Sequence, residues 1–125
     1  MSIVCLELDD LVRAAERIGG PDCIRDLGLL SSSIHRHASI VFGVDVYPSL
    51  DLKAAALLTS VVSNHALVDG NKRLGWVAVR LFYGLNNVNL RYDEDAAYQL
   101  VLGIAKGFDD VQQIADVLAS WHRQS

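Results

Sequence analysis

Cysteine is scarce in this chain. Cys5 and Cys23 are the only two in 125 residues. They stand alone, without the CxxC spacing of a metal or redox site, which predicts a cytosolic protein with two reduced, packed thiols. Positive charge is also short: 11 Lys and Arg face 15 Asp and Glu, for a net charge of −4. That balance argues against a general nucleic-acid binder, although it leaves room for a local basic patch. No apolar run approaches the ~20 residues of a membrane span. The opening "MSIVCLELDD" has no basic n-region and carries an acidic pair, so no signal peptide is expected. Repeats, low-complexity tracts and linkers are absent too.

What is present is oily. Hydrophobic residues make up 51% of the chain and charged residues 21%. A chain of this length and composition predicts one globular domain, residues 1–125, with a single core.

The periodicities are helical. Residues 9–18 place Leu11, Val12, Ala15 and Ile18 on one face, and "GGP" stops that helix. Residues 28–43 read as a second helix. Tyr47 precedes Pro48 and is expected to be extended. Residues 51–64 form a third helix, capped by Ser49 or Asp51. Residues 71–85 form a fourth, in which Arg80 is the only charge after Leu74. A helix apolar on nearly all sides belongs in the middle of a fold. Residues 94–106 and 110–122 complete the set, and residues 2–7 could be a short strand. The expected fold is all-α, about six helices around a central one.

The polar chemistry is concentrated in "HALVDGNKR", residues 65–73. His65 lies at or just past the end of the third helix. Gly70 permits a tight or left-handed backbone. Asn71, Lys72 and Arg73 open the fourth helix, whose first amides are unpaired and lie at the positive end of the helix dipole. Lys and Arg there add full charge to an anion cradle. Asp69 suits Mg²⁺, which takes a carboxylate plus phosphate oxygens. His65 is the nearby group suited to accept a proton near neutral pH. Together these describe phosphoryl or nucleotidyl transfer. The plainer alternative stays open on physics alone: a turn at Asp69-Gly70, a cap at Asn71, solvated cations and a satisfied histidine. There is no GxxxxGK[ST] P-loop.

The same stretch resembles the motif of the Fic/Doc superfamily, HxFx[DE][GA]N[GK]R. "IRDLGLLSSSIHR", "YPSLDLKAAALLTSVVSNH" and "GLNNVNL" extend the resemblance to the Doc (death-on-curing) toxin branch, over residues 8–120. The resemblance implies a toxin kinase that moves the γ-phosphoryl group of ATP to a threonine of elongation factor Tu and arrests translation. His65 would deprotonate the target hydroxyl and Asp69 would hold Mg²⁺. Gly70, Asn71, Lys72 and Arg73 would form the phosphate cradle. Larger Fic enzymes mostly transfer AMP instead. They carry Gly at the position of Lys72 and usually a second Arg at the position of Trp76. Both departures here are Doc-like. Lysine crowds and charges a site where glycine leaves room, and losing an arginine removes one phosphate clamp. Gly70, by contrast, follows the Fic form where many Doc toxins have Ala, and Leu67 replaces the motif's Phe as the expected anchor of the loop in the core.

Fic enzymes are often silenced by a glutamate within [ST]xxxE[GN]. Ile3, Val12 and Leu90 stand four residues before Glu7, Glu16 and Glu94, so that motif is missing. The resemblance therefore implies control in trans, by a segment of a Phd-type antitoxin folding onto the toxin. Two rival readings share the sequence: an AMP transferase using the same site, and a non-catalytic protein that only binds the antitoxin.

Other residues invite a role. His35 and His37 look like a metal pair, but two helical residues at that spacing point to nearly opposite sides. Arg36 aligns with an arginine common in the family and fits either a surface or a nucleotide contact. Arg80 is expected to be a surface side chain, and His122 to be exposed and idle. Trp76 and Trp121 are expected to make core or partner contacts.

Overall fold

The computed structural model describes residues 2–122. Among them are α1 (Leu8–Gly19), α2 (Leu27–His37), β1 (Ile40–Val41), β2 (Val44–Asp45), α3 (Leu50–Asn64), α4 (Asn71–Leu85), α5 (Glu94–Ala105) and α6 (Val111–Ser120). The all-α expectation holds, with one two-stranded hairpin added. No helix of the described residues is long and apolar enough to cross a membrane. Both thiols are free, with Cys23 buried and Cys5 half-buried.

The helix starts follow local chemistry. Ser49, not Asp51, caps α3, its hydroxyl accepting from Leu52 N at 3.1 Å. Asp26 and Asp110 cap α2 and α6 in the same way. Glu7 and Asp10 close a reciprocal box at the start of α1.

The central helix is α3, not α4 as its apolar run suggests. Every residue from Lys53 to Val62 is buried, and α3 packs against α2, α4, α5 and α6. Its alanines let neighbours approach closely, and its polar residues find partners inside the fold. Thr59 returns a hydrogen bond to Ala55 O at 3.0 Å. Lys53 pairs with Asp45 of the hairpin at 3.4 Å. Arg36 donates to Thr59 Oγ1 and Ser60 Oγ, both at 2.9 Å, and to Tyr47 Oη at 3.1 Å. Arg36 is therefore a tie between α2, α3 and the loop before it. In contrast, α4 leaves Arg80, Leu81, Gly84 and Leu85 exposed. It meets α3 along Gly75, where an added Cβ would lie 2.6 Å from Val62 Cγ2.

The second helix ends earlier than its apolar pattern predicts. Residues 40–45 instead form a hairpin with Val41 opposite Val44. Phe42 and Gly43 both take positive φ, 51° and 78°, as a two-residue hairpin turn requires. The β-branched Ile40, Val41 and Val44 favour the extended form over a helix continuation. Residues 2–7 form no strand. Side chains supply their partners: Asn86 bonds both Val4 N and Val4 O, at 2.8 and 2.9 Å, and Leu6 N donates to His37 Nε2 at 3.1 Å.

His37 is thus a buried acceptor, while His35 is exposed and bonds the Ser31 carbonyl at 2.8 Å. The described residues contain no cluster of three or more His, Cys, Asp and Glu able to hold a metal. His122 is not idle: its Nε2 lies 2.7 Å from Asp51 Oδ1, which also accepts from Tyr83 Oη at 2.6 Å. This joins the C-terminal end of the described chain to the start of α3. Trp76, Tyr92 and Trp121 pack edge-on or tilted against one another, with ring centres 5.0 to 6.1 Å apart.

Candidate functional site

The site begins where α3 stops. His65 adopts the left-handed conformation, φ 53° and ψ 44°, which turns the chain out of the helix. Arg25 donates through Nη2 to the His65 carbonyl, which ties this peptide to the segment before α2. The imidazole has no hydrogen-bond partner among the described residues, so both ring nitrogens remain available for chemistry.

The next residues are pinned by the segment between α1 and α2. Arg25 N and Asp26 N donate to Ala66 O at 2.8 and 3.0 Å, and Val68 N donates to Cys23 O at 2.9 Å. Ile24 and Leu67 form an antiparallel bridge. Leu67 is 1% exposed, so leucine anchors the loop in the core where the family motif has phenylalanine.

Asn71 supplies the second hold. Its Oδ1 accepts from Leu67 N at 2.9 Å and its Nδ2 donates to Leu67 O at 3.1 Å. The Asn71 side chain is therefore committed to the loop, and what it offers an anion is its backbone N–H. Gly70 carries φ 92°, and a Cβ there would meet Ile18 Cγ2 at 3.0 Å. The backbone enters α4 through this turn.

At the start of α4 the N–H groups of Asn71, Lys72 and Arg73 meet no acceptor among the described residues. Lys72 and Arg73 are exposed, and neither has a carboxylate partner within ion-pair distance there. Asp69 is exposed. Its Oδ1 accepts from Gly70 N at 2.9 Å, while its second oxygen has no partner in the described residues.

His65, Asp69, Gly70, Asn71, Lys72 and Arg73 all line one cavity of about 1030 Å³. A donor-rich wall of unpaired amides and two cations suits the phosphates of a nucleotide, and the volume is that of a large ligand site. No cluster of three or more His, Cys, Asp and Glu able to hold a metal forms among the described residues, so a bound Mg²⁺ would be held by Asp69 together with phosphate oxygens and not by an all-protein cage. Trp76 also lines the cavity. Its indole donates to Tyr92 Oη at 3.4 Å and sits among the aromatic rings, so no second cation stands there. Arg36, Arg80 and His122 lie outside the lining.

The rest of the lining brings residues that the contiguous stretch does not reveal. Asp22 and Cys23 come from the turn after α1, and Glu94 and Tyr98 from α5. These positions lie more than 20 residues from Lys72 in the chain, and no local spacing marks them.

The chain is similar to known proteins over most of its length. The model of the Fic/DOC family matches residues 6–83, a span that runs from α1 through the site to Tyr83. The chain is 43% identical over 119 residues to Toxin Doc of Mycolicibacterium smegmatis, covering 93% of this chain and 92% of that protein. The chain belongs to the Fic/DOC family.

Proposed function

We propose that the chain is the toxin of a toxin–antitoxin pair and acts as a protein kinase, moving the γ-phosphoryl group of ATP to a hydroxyl side chain of elongation factor Tu. One observation carries this reading: the His65 imidazole, the Asp69 carboxylate and the open start of α4 line a single cavity. The similarity to Toxin Doc supports the toxin role.

The chemistry is a balanced displacement. The target hydroxyl oxygen attacks the γ-phosphorus and loses its proton to an unpaired nitrogen of His65. The bond from the γ-phosphorus to the bridging oxygen breaks, its electron pair stays on that oxygen, and ADP leaves. Lys72, Arg73 and the amides of residues 71–73 bind the phosphate oxygens and stabilise the charge that gathers there. Asp69 would hold Mg²⁺ together with the phosphates, and the ion would supply charge neutralisation there. The Leu67–Asn71 clamp keeps base and cradle in register. The reaction belongs in the cytoplasm, where ATP and the translation factor are found.

Two features favour γ-phosphoryl transfer over AMP transfer. Lys72 fills the place where AMP-transferring relatives keep glycine, and Trp76 fills the place of their second arginine. Gly70 is the feature that favours AMP transfer. Label transfer decides between them. The purified chain is incubated with Mg²⁺, elongation factor Tu and ATP labelled at the γ- or the α-phosphate. Label from γ alone is expected. Label from α would assign an AMP transferase, and no label from either would remove elongation factor Tu as the target or the activity itself.

A further inference from the structure

Three residues other than glycine take a positive φ in the described chain: Phe42, His65 and Asn87. His65 is the one in the candidate site. A side chain with a Cβ keeps this conformation only where its surroundings hold it. The helix it ends does not supply that hold. In α1, α4, α5 and α6 the cap N–H returns a hydrogen bond to the last turn. Among the described residues the His65 N–H makes no such bond. The last turn of α3 also has no basic residue to meet the negative end of its dipole.

Arg25 supplies what α3 lacks, from 40 residues away in the chain. Its Nη2 donates to the His65 carbonyl, a charge-assisted bond at the C-terminal end of α3. No other side chain bonds the His65 backbone among the described residues. Arg25 is exposed, and no carboxylate lies within ion-pair distance of it there, so no salt bridge competes for its guanidinium. The next peptide needs no side chain: Ala66 O accepts from the backbone N–H groups of Arg25 and Asp26 at 2.8 and 3.0 Å. Loss of the guanidinium therefore frees the His65 peptide and leaves the loop pinned beyond it. Arg25 stands outside the lining of the cavity that holds His65 and the phosphate wall. Its route to the reaction runs through His65.

We infer that Arg25 is a positioning residue for the transfer reaction: its guanidinium fixes the His65 peptide and so the direction in which the imidazole enters the cavity. Helix α3 holds the chain before His65, and the Ile24–Leu67 bridge holds it after. Arg25 sets the one peptide between them. With φ and ψ held, the Cα–Cβ bond of His65 has a single direction, which is what a base in register with a bound phosphate needs. This rests on the reading of His65 as the proton acceptor.

The test compares the wild-type chain with Arg25→Ala and Arg25→Lys by two measurements. The first is NMR of His65. Arg25→Ala is expected to shift and broaden the amide and ring signals of His65 and to leave the amides of Lys72 and Arg73 in place, with Arg25→Lys between the two. The second is single-turnover transfer from γ-labelled ATP to elongation factor Tu, with ATP binding measured alongside. Arg25→Ala is expected to lower the rate about a hundredfold with ATP affinity unchanged, and Arg25→Lys to recover part of the loss. Tyr83→Phe is the destabilised control. It removes the 2.6 Å bond to Asp51, outside the cavity lining, and is expected to lower the melting temperature and keep the rate. Arg25→Gln replaces Arg25→Ala if thermal melting shows that the latter does not fold. Parent-like His65 signals in Arg25→Ala, a parent-like rate, or an equal loss of rate in Tyr83→Phe overturns the inference. Absence of transfer by the wild-type chain overturns the kinase reading instead, and the NMR comparison still decides whether Arg25 holds His65.

Discussion

Asn71 holds Leu67 by both of its backbone groups, accepting from its N–H at 2.9 Å and donating to its carbonyl at 3.1 Å. The loop between His65 and the start of α4 is thereby closed on itself. With Leu67 seated in the core, the distance from His65 to the start of α4 is set by a small rigid unit. An asparagine in this position serves geometry first and charge second.

Asn71→Ala removes both bonds. The expected cost is about 1–3 kcal/mol of unfolding free energy, read from urea denaturation. The loss of transfer activity is expected to be larger than this, about a hundredfold, because base and cradle lose their register. Asn71→Asp keeps the acceptor for Leu67 N but loses the donor and brings a negative charge to the phosphate wall. Its activity is expected to fall at least as far.

Gly75→Ala tests the seam between α3 and α4. The new methyl group would lie 2.6 Å from Val62 Cγ2 and 3.3 Å from Leu58 Cδ1. Alanine is the better helix former by about 1 kcal/mol, but overpacking a tight seam costs about 1–3 kcal/mol. A net loss of stability is expected, seen as a lower melting temperature. Gly84→Ala, in the same helix with open space around it, is expected to raise the melting temperature instead.

His37 makes stability depend on pH. Burial holds its pKa below the ordinary 6.5, and the Lys53 charge pushes the same way, against the bond to the Ile34 carbonyl. The neutral ring accepts from Leu6 N and packs edge-on against Phe82. The unfolded chain therefore binds the proton more readily than the folded one. The stability held by neutral His37 is present above pH 6.5 and is lost as pH falls from there toward the depressed folded value. Urea midpoints are expected to drop over that range in the wild type and to drop less in His37→Gln.

Much of this was legible in the chain because its signals are local. The start and end of α4, residues 71–85, follow from "DGN" ahead of the apolar run and "NN" behind it. The elements of the site are contiguous from His65 to Arg73, so their chemistry could be weighed together. The misreadings share the opposite cause. An apolar helix face does not say whether it meets a core or a groove, and Leu81 and Leu85 made α4 look central when α3 is. Ile40 and Val41 extend a helical pattern as readily as a strand, and only the turn at Phe42-Gly43 separates the two. His122 looked idle because its partner, Asp51, is 71 residues away. Asp22, Glu94 and Tyr98 reach the cavity through tertiary packing alone.

The central claim is that His65 serves as the proton acceptor for a hydroxyl attacking the γ-phosphoryl group. Its most direct measurement compares wild type with His65→Ala in single-turnover transfer from γ-labelled ATP to elongation factor Tu, with nucleotide binding measured in parallel. The account predicts a rate lower by about 10²–10⁴ in the variant, with ATP affinity nearly unchanged because the phosphate wall is intact. Transfer by His65→Ala at the wild-type rate would contradict it.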